Sequence, residues 1–288
     1  MATGATEFVD NTTADVFIPE VWANEAIVAR EQRLVFANLV NRGYEKDLRF
    51  GDTAHVRSVG NLSARSKATS SNAAITYETI TETNTDITVN TWEYSAMAVE
   101  DIIKVQADKD MFRLYAGKMG YALDLSIDDV LAGLVDDFSQ AVGTLAINLT
   151  YQNFLDSRQY LDDANAPEED RHIVVSPAQE AGMLTLEHFI NRDYTDATKA
   201  VPGGKGEKGW IGSWMGIPVY KSTNVEGSNA AGHDNTLFHR SALALVVQMK
   251  PQAHHMYDID YFVDKVAIEH LHGSRELRDD HGVFMRGK

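Results

Sequence analysis

The sequence predicts a fold of mixed helices and strands laid out in separate blocks. Three observations lead there. A threonine-rich stretch, with Thr76, Thr79, Thr81, Thr83, Thr85, Thr88 and Thr91 and the alternating Ile87 and Val89, has strand chemistry. Leu123, Ile127, Val130, Leu131, Leu134 and Phe138 recur at helical spacing, with Asp124, Asp128, Asp129 and Asp136 on the other face. Toward the C-terminus, strand patterning returns with Tyr261-Phe262-Val263 and Val266-Ala267-Ile268 around Asp264-Lys265.

Composition narrows the function. The 288 residues hold 42 acids against 26 bases, a net charge of −16. A nucleic-acid binder shows an excess of Lys and Arg, so that class is disfavoured. The absence of cysteine excludes a disulfide scaffold, a thiolate metal site, an Fe–S cluster and a Cys nucleophile. No apolar run approaches the ~20 residues that span a bilayer. The N-terminal segment has neither the basic start nor the apolar stretch of a signal peptide.

In chain order, residues 1–17 read as a small, polar, acidic arm. Ile18-Pro19-Glu20 opens a helix that is expected to run to about Arg42 and stop at Gly43. His55 to Val59 alternates as a strand, and Gly60 to Ser71 forms a low-complexity tip before the threonine-rich stretch. Such a polar hairpin is marginal alone, so it is expected to pack on something else. Residues 99–143 are helical. Residues 144–249 read as an α/β unit: a helix from Leu145 to Leu161, a turn to Pro167, the strand His172–Val175, and a helix to about Phe189. A glycine-rich loop from Pro202 to Gly209 follows, then strands at Ile217–Tyr220 and Leu243–Gln248 around a polar loop at 226–235. The last segment ends in a turn at Asp279–Gly282 and the strand Val283–Met285.

No chemical motif rises above chance. His254, His255, His270, His272 and His281 lie near Asp258, Asp260, Asp279 and Asp280, but in no known ligand spacing. His270 and His272 would share one face of a strand without an indicated third ligand, so no metal or cofactor is assigned. Asp258-Ile259-Asp260 reads as a turn. The loop at Gly203–Gly209 lacks the phosphate-cradle pattern. Ser176 sits in Val-Val-Ser-Pro, without the glycines of a nucleophile elbow, and no catalytic residue is assigned. Charge layout says more. Arg57, Arg65 and Lys67 have no acid among residues 54–77, whereas residues 119–157 hold Asp124, Asp128, Asp129, Asp136, Asp137 and Asp156 and no base. A basic ribbon tip and an acidic helix face suit a chain whose copies pair head to tail. Arg57, Arg65, Lys67, Asp124, Asp128, Asp129 and Asp136 are the candidate intersubunit residues, with Asp264 and Glu269 as a second choice of acids.

The order of segments resembles the major capsid protein of tailed double-stranded DNA bacteriophages. The resemblance is carried by Ile18-Pro19-Glu20-Val21-Trp22, Gly51-Asp52-Thr53 and the segment from Tyr121 to Asp128. It continues in Leu161 to Arg171 with Val174-Val175-Ser176-Pro177, and in Gly209-Trp210-Ile211-Gly212 with Gly216 to Tyr220. The family implies a flat, wedge-shaped α+β subunit. Its parts would be an N-terminal arm and first helix (1–44), an extended loop lying over the neighbour (45–98), a peripheral domain with the spine helix (99–143 and 250–288) and an axial domain (144–249). It further implies pentamers and hexamers of an icosahedral head around packaged DNA, no enzymatic activity, no membrane partner and no sequence-specific DNA contact. Location in the virion, after assembly in the bacterial cytoplasm, is expected. Because Met1 is followed almost at once by the arm, a separate scaffolding protein is expected, along with a portal. Some relatives cross-link through an extended-loop lysine; Lys67 stands near that place, with no identifiable partner. The rivals are a cellular nanocompartment shell of the same fold and, from another class, a cytosolic metal-dependent α/β enzyme.

Overall fold

The computed structural model describes residues 35–49, 51–59, 62–67, 69, 74–80, 82–106, 111–186, 189 and 209–288. The arm, the first helix before Val35 and the glycine-rich run at 202–208 lie outside the described residues.

The chain begins with a short helix, α1 (Phe36–Leu39). It stops earlier than Gly43 because Asn41 turns to a neighbour: its N–H donates to the Leu243 carbonyl, and its own carbonyl accepts from Leu245 N–H, both at 3.0 Å. A 3₁₀ segment, Gly43–Arg49, follows. Strands β1 (Thr53–Val59) and β2 (Glu82–Thr88) then pair antiparallel from Thr53↔Thr88 to Val59↔Glu82, as the threonine pattern predicts. Strand β3 (Thr91–Glu100) is extended too, but it leaves the hairpin for another sheet. Helix α2 (Asp101–Gln106) and the long helix α3 (Met111–Gly133) come next, the latter closing in a 3₁₀ turn at Leu134–Asp137.

Strand β4 (Ala141–Gly143) precedes helix α4 (Tyr151–Asp163). The helix starts six residues after Leu145 because Thr150 is a better start: its side chain accepts from Asn153 N–H, and the Asn153 side chain accepts from Thr150 N–H. Strand β5 (Arg171–Val175) leads to α5 (Pro177–Met183), where Ser176 caps Gln179 N–H and Pro177 opens the helix. Strands β6 (Trp210–Trp214), β7 (Ile217–Lys221), β8 (Gly227–Ser228) and β9 (Gly232–His239) follow, so the segment expected as a polar loop at 226–235 is largely strand. The C-terminal part holds β10 (Leu243–Asp258), β11 (Val263–Glu276) and β12 (Gly282–Gly287). Tyr261 and Phe262 lie in the β10–β11 turn and not in the strand. The register of β10 shifts between Met249 and Gln252, where Pro251 has no N–H to give a ladder.

These strands make three sheets. One is the β1–β2 hairpin alone. The second has the order β10-β11-β3. The third has seven strands, β4-β12-β9-β5-β7-β6 with β8 added on β9. Side-chain alternation buries both faces of the seven-stranded sheet. Val174, Tyr220, Phe238 and Phe284 face α1, Ile127 and Leu131 of α3, and Val135 of the 3₁₀ turn after it. Ile173, Val175, Val219, Leu237, Val283 and Met285 face Phe154 and Leu161 of α4, with Trp214. Arg171, nearly fully buried, clamps the turn after α4. Its guanidinium donates to Asp162 at 2.7 Å and to the carbonyls of Ala166 at 2.6 Å and Pro167 at 2.8 Å. A small third core joins the hairpin base to β10 through Leu48, Ile87, Val89, Ala244 and Val246. Gly273 passes so close to it that a Cβ would meet the Thr88 carbonyl at 2.3 Å.

Candidate intersubunit surfaces

Among the described residues, the hairpin is anchored at its base. Val89 N–H donates to the Asp52 carbonyl at 2.8 Å, and Gln248 Nε2 donates to the carbonyls of Leu48 and Gly51 at 2.9 and 2.7 Å. Away from that base the described residues lie open. Leu62, Ile75, Tyr77 and Ile80 are all exposed, Tyr77 at 85%. A two-stranded ribbon whose connecting segment exposes large apolar side chains lacks the burial that stabilises such a segment in one subunit.

Of the candidate bases on this hairpin, Arg65 has a partner in its own hairpin: Glu78, at 3.9 Å. Glu78 also accepts from the Ser63 hydroxyl and the Ser63 N–H, which together hold its carboxyl below the usual range. Arg57 and Lys67 are exposed and have no ion pair among the described residues. So the absence of acids among residues 54–77 leaves two of the three bases open, and not all three.

The acids of α3 and of the 3₁₀ turn that closes it divide in the same way. Asp124, Asp129 and Asp136 are exposed. Asp128 is not part of a solvated face: it is fully buried. Its carboxylate accepts from Val35 N–H at 3.1 Å, Ala37 N–H at 3.0 Å and Asn224 Nδ2 at 3.0 Å, so it caps α1 from a distance of 91–93 residues in sequence. Burial pushes its pKa up, against the pull of those hydrogen bonds. Conversely, Val130 of the apolar stripe is exposed. The helix is thus turned slightly from the face that apolar spacing alone selects. Asp136 lies beside Asp234, whose pKa is raised to about 6, first by burial and then by the charges of Asp136 and Glu226. Among the second-choice acids, Glu269 accepts from Trp92 Nε1 at 2.8 Å and lies 2.9 Å from His254 Nε2, and Asp264 lies 3.3 Å from His255 Nε2. Within one subunit, no ion pair among the described residues joins the basic tip to the α3 acids.

Sequence reasoning found the turn between β10 and β11 but missed the exposed apolar cluster around it. Met256, Tyr257, Ile259, Tyr261 and Phe262 are all exposed there, and Phe262 has a φ of 54°. The signal was present as an aromatic and aliphatic run, but strand patterning hid it. Asp258 and Asp260 do form the expected turn: Asp260 N–H donates to Asp258 at 3.1 Å and Lys265 Nζ donates at 2.7 Å. Ser176 is a helix cap whose hydroxyl donates to the Lys288 carbonyl at 2.7 Å. His172 packs between the rings of Tyr220 and Phe238.

On the inner face of the three-stranded sheet, His270 stands opposite Glu93 in register, with Nε2 3.1 Å from Glu93 Oε2. The His272 ring lies 4.9 Å from the His270 ring, centroid to centroid. Ser126 of α3 donates to Glu93 at 2.7 Å. The third group that strand spacing could not supply for the histidine pair is therefore Glu93, from 177 residues earlier.

The profile described as phage capsid protein matches residues 45–273. No curated protein matches the chain. Solved structures do. A chain from Mycobacterium phage Che8 is 24% identical with a TM-score of 0.75, covering 93% of this chain and 97% of that one. The capsid structure of the cyanophage P-SCSP1u is 18% identical with a TM-score of 0.71, covering 99% and 98%. The capsid of Ralstonia phage GP4 is 12% identical with a TM-score of 0.66, covering 93% and 94%. With most of its length under the family profile and its fold shared end to end with capsid chains, this protein belongs to the phage capsid protein family and is a structural major capsid protein of the virion shell.

Proposed function

We propose that the subunit joins its neighbours through the β1–β2 hairpin, the exposed α3 acids and the β10–β11 turn, in the pentamers and hexamers of an icosahedral head. The observation that carries this reading is the hairpin: it is tied down at its base and exposes Leu62, Ile75, Tyr77 and Ile80 beyond it. Such a ribbon gains its order from a neighbouring copy laid beneath it, a heterologous contact that closes into rings. The division into arm (1–44), extended loop (45–98), peripheral part (99–143 with 250–288) and axial part (144–249) suits this role. Strand β3 goes with the peripheral part through its pairing to β11. The role is structural and not enzymatic. A separate scaffolding protein and a portal serve assembly in the host cytoplasm, and packaged DNA is enclosed without sequence-specific contact. A net charge of −16 suits a container that does not grip phosphate.

Deleting Gly60–Ser71 tests the hairpin. The expected outcome is a soluble, folded subunit, seen by circular dichroism, that forms no closed shells in negative-stain images. Normal particles from the deletion would remove the hairpin from assembly.

A further inference from the structure

We propose that Glu93, His270 and His272 form a binding site for a divalent zinc ion inside the subunit, between the three-stranded sheet and α3. Nothing in the shell-building role requires such a site. The argument begins with orphaned atoms. His270 and His272 are 0% and 1% exposed. Yet His270 Nδ1 and both ring nitrogens of His272 have no hydrogen-bond partner. Buried polar atoms are nearly always partnered, so three on two neighbouring rings call for a reason. A cation that takes one lone pair from each ring supplies one for two of the three, with a single N–H of His272 left over.

The backbone puts the three ligands together. Residues two apart on a strand share a face, so β11 presents both rings inward. The antiparallel register then sets Glu93 directly across from His270. One ligand atom from each residue lies within 4.8 Å of the other two. Around zinc, ligand distances of about 2.0–2.2 Å put neighbouring donor atoms roughly 3.4 Å apart. Small side-chain rotations cover that difference while the strands stay paired. Two imidazoles and one carboxylate are a donor set that suits zinc, with a fourth position left for water. The supporting parts are present as well. Ser126 holds the second oxygen of Glu93 at 2.7 Å, which fixes the carboxylate and ties it to α3. An open groove lined by Trp92, Tyr94, Ala122, Leu123 and Ser126 reaches Glu93 from solvent, giving the ion a route in. Bound there, the ion would link β3, β11 and, through Ser126, the long helix. The surface pairs His254–Glu269 and His255–Asp264 lack a third ligand among the described residues and serve as the internal control.

The test uses the full chain, stripped with a chelator and titrated with zinc and then with cobalt(II). The expected result is one zinc per subunit, a higher melting temperature with zinc, and visible cobalt absorption of a low-coordinate site. His272→Gln and, separately, Glu93→Gln should each weaken zinc binding at least tenfold. The double variant His254→Ala/His255→Ala should bind as the parent does. Glu93→Gln changes a half-buried residue and keeps an acceptor for Ser126, so it reads the site even if His272→Gln fails to fold. A parent chain that binds no zinc would overturn the proposal. So would binding that survives Glu93→Gln and disappears with the surface histidines.

Discussion

At the scale of single residues, Asp128 shows how one side chain serves two distant segments. It closes the N-terminal end of α1 from within α3, and Asn224 steadies it from the loop after β7. Asp128→Ala leaves the buried Val35 N–H and the Asn224 amide without an acceptor. The expected loss is about 2–4 kcal/mol, a typical cost for orphaning a few buried donors to a carboxylate. Thermal melting of the unassembled subunit should show it as a drop of several degrees. A drop no larger than that of Asp129→Ala, on the exposed face, would count against the cap. Phe262 is the opposite kind of residue. It holds a left-handed backbone with a bulky ring 64% exposed in the β10–β11 turn. A non-glycine residue in that conformation costs roughly 1–2 kcal/mol. Phe262→Gly is therefore expected to raise the melting temperature of the free subunit while lowering the yield of shells. Unchanged assembly would make the ring a bystander.

At the scale of elements, the β1–β2 hairpin and α3 offer charges that no ion pair among the described residues consumes. Arg65 is already tied to Glu78, so Arg57 and Lys67 are the bases with most to offer a neighbour. Their proposed counterparts on a neighbouring copy are Asp124, Asp129 and Asp136. One exposed pair contributes only about 0.2–1 kcal/mol, but a shell repeats it at every subunit. The double reversal Arg57→Glu/Lys67→Glu should slow or reduce assembly at low salt and leave the melting curve of the monomer nearly unchanged. Salt should weaken assembly of the parent more than that of the reversed chain, because screening removes attraction from one and repulsion from the other. Light scattering across a salt series checks both. Equal assembly at low salt would leave the hairpin to apolar and backbone contacts alone.

At the scale of the whole molecule, an excess of acids has to be housed, and among the described residues Glu276 and Asp234 join Asp128 where ionisation is unfavourable. Glu276 is pushed up to about 7 by burial and by Asp279 and Asp137, against the pull of Arg275. Asp234 is pushed up to about 6 by burial, Asp136 and Glu226, against Arg286. Unfolded carboxyls titrate near 4, so between about pH 4 and 7 the folded chain binds the extra protons. That contribution is complete below the unfolded pKa and is lost as pH rises through the folded one. His239, His272 and His281 act in the other direction, since burial lowers each of them and folding then disfavours their protonation. The clean measurement is a difference. Glu276→Gln should melt with the parent near pH 4, where both states are protonated, and above it at pH 8. A constant gap across that range would mean that Glu276 is not the titrating group.

What the sequence by itself determined were the features that depend on near neighbours in the chain. Threonine alternation specified the hairpin, apolar spacing specified α3, and Ser176-Pro177 specified the start of α5. The order of these segments was enough to point to the family. What only the tertiary structure decided were the matters of which face meets what. Helical spacing grouped Asp128 with Asp124 and Asp129, yet packing turned it inward, because the open N–H groups of α1 offered a carboxylate better partners than water did. Asn41 ended a helix early because an open backbone edge of β10 lay beside it. Glu93 met His270 only through strand pairing between segments 177 residues apart, a register set by the sheet and not by any local pattern. Local periodicity fixes an element's type. Its partners depend on long-range pairing and burial, which no window of sequence contains.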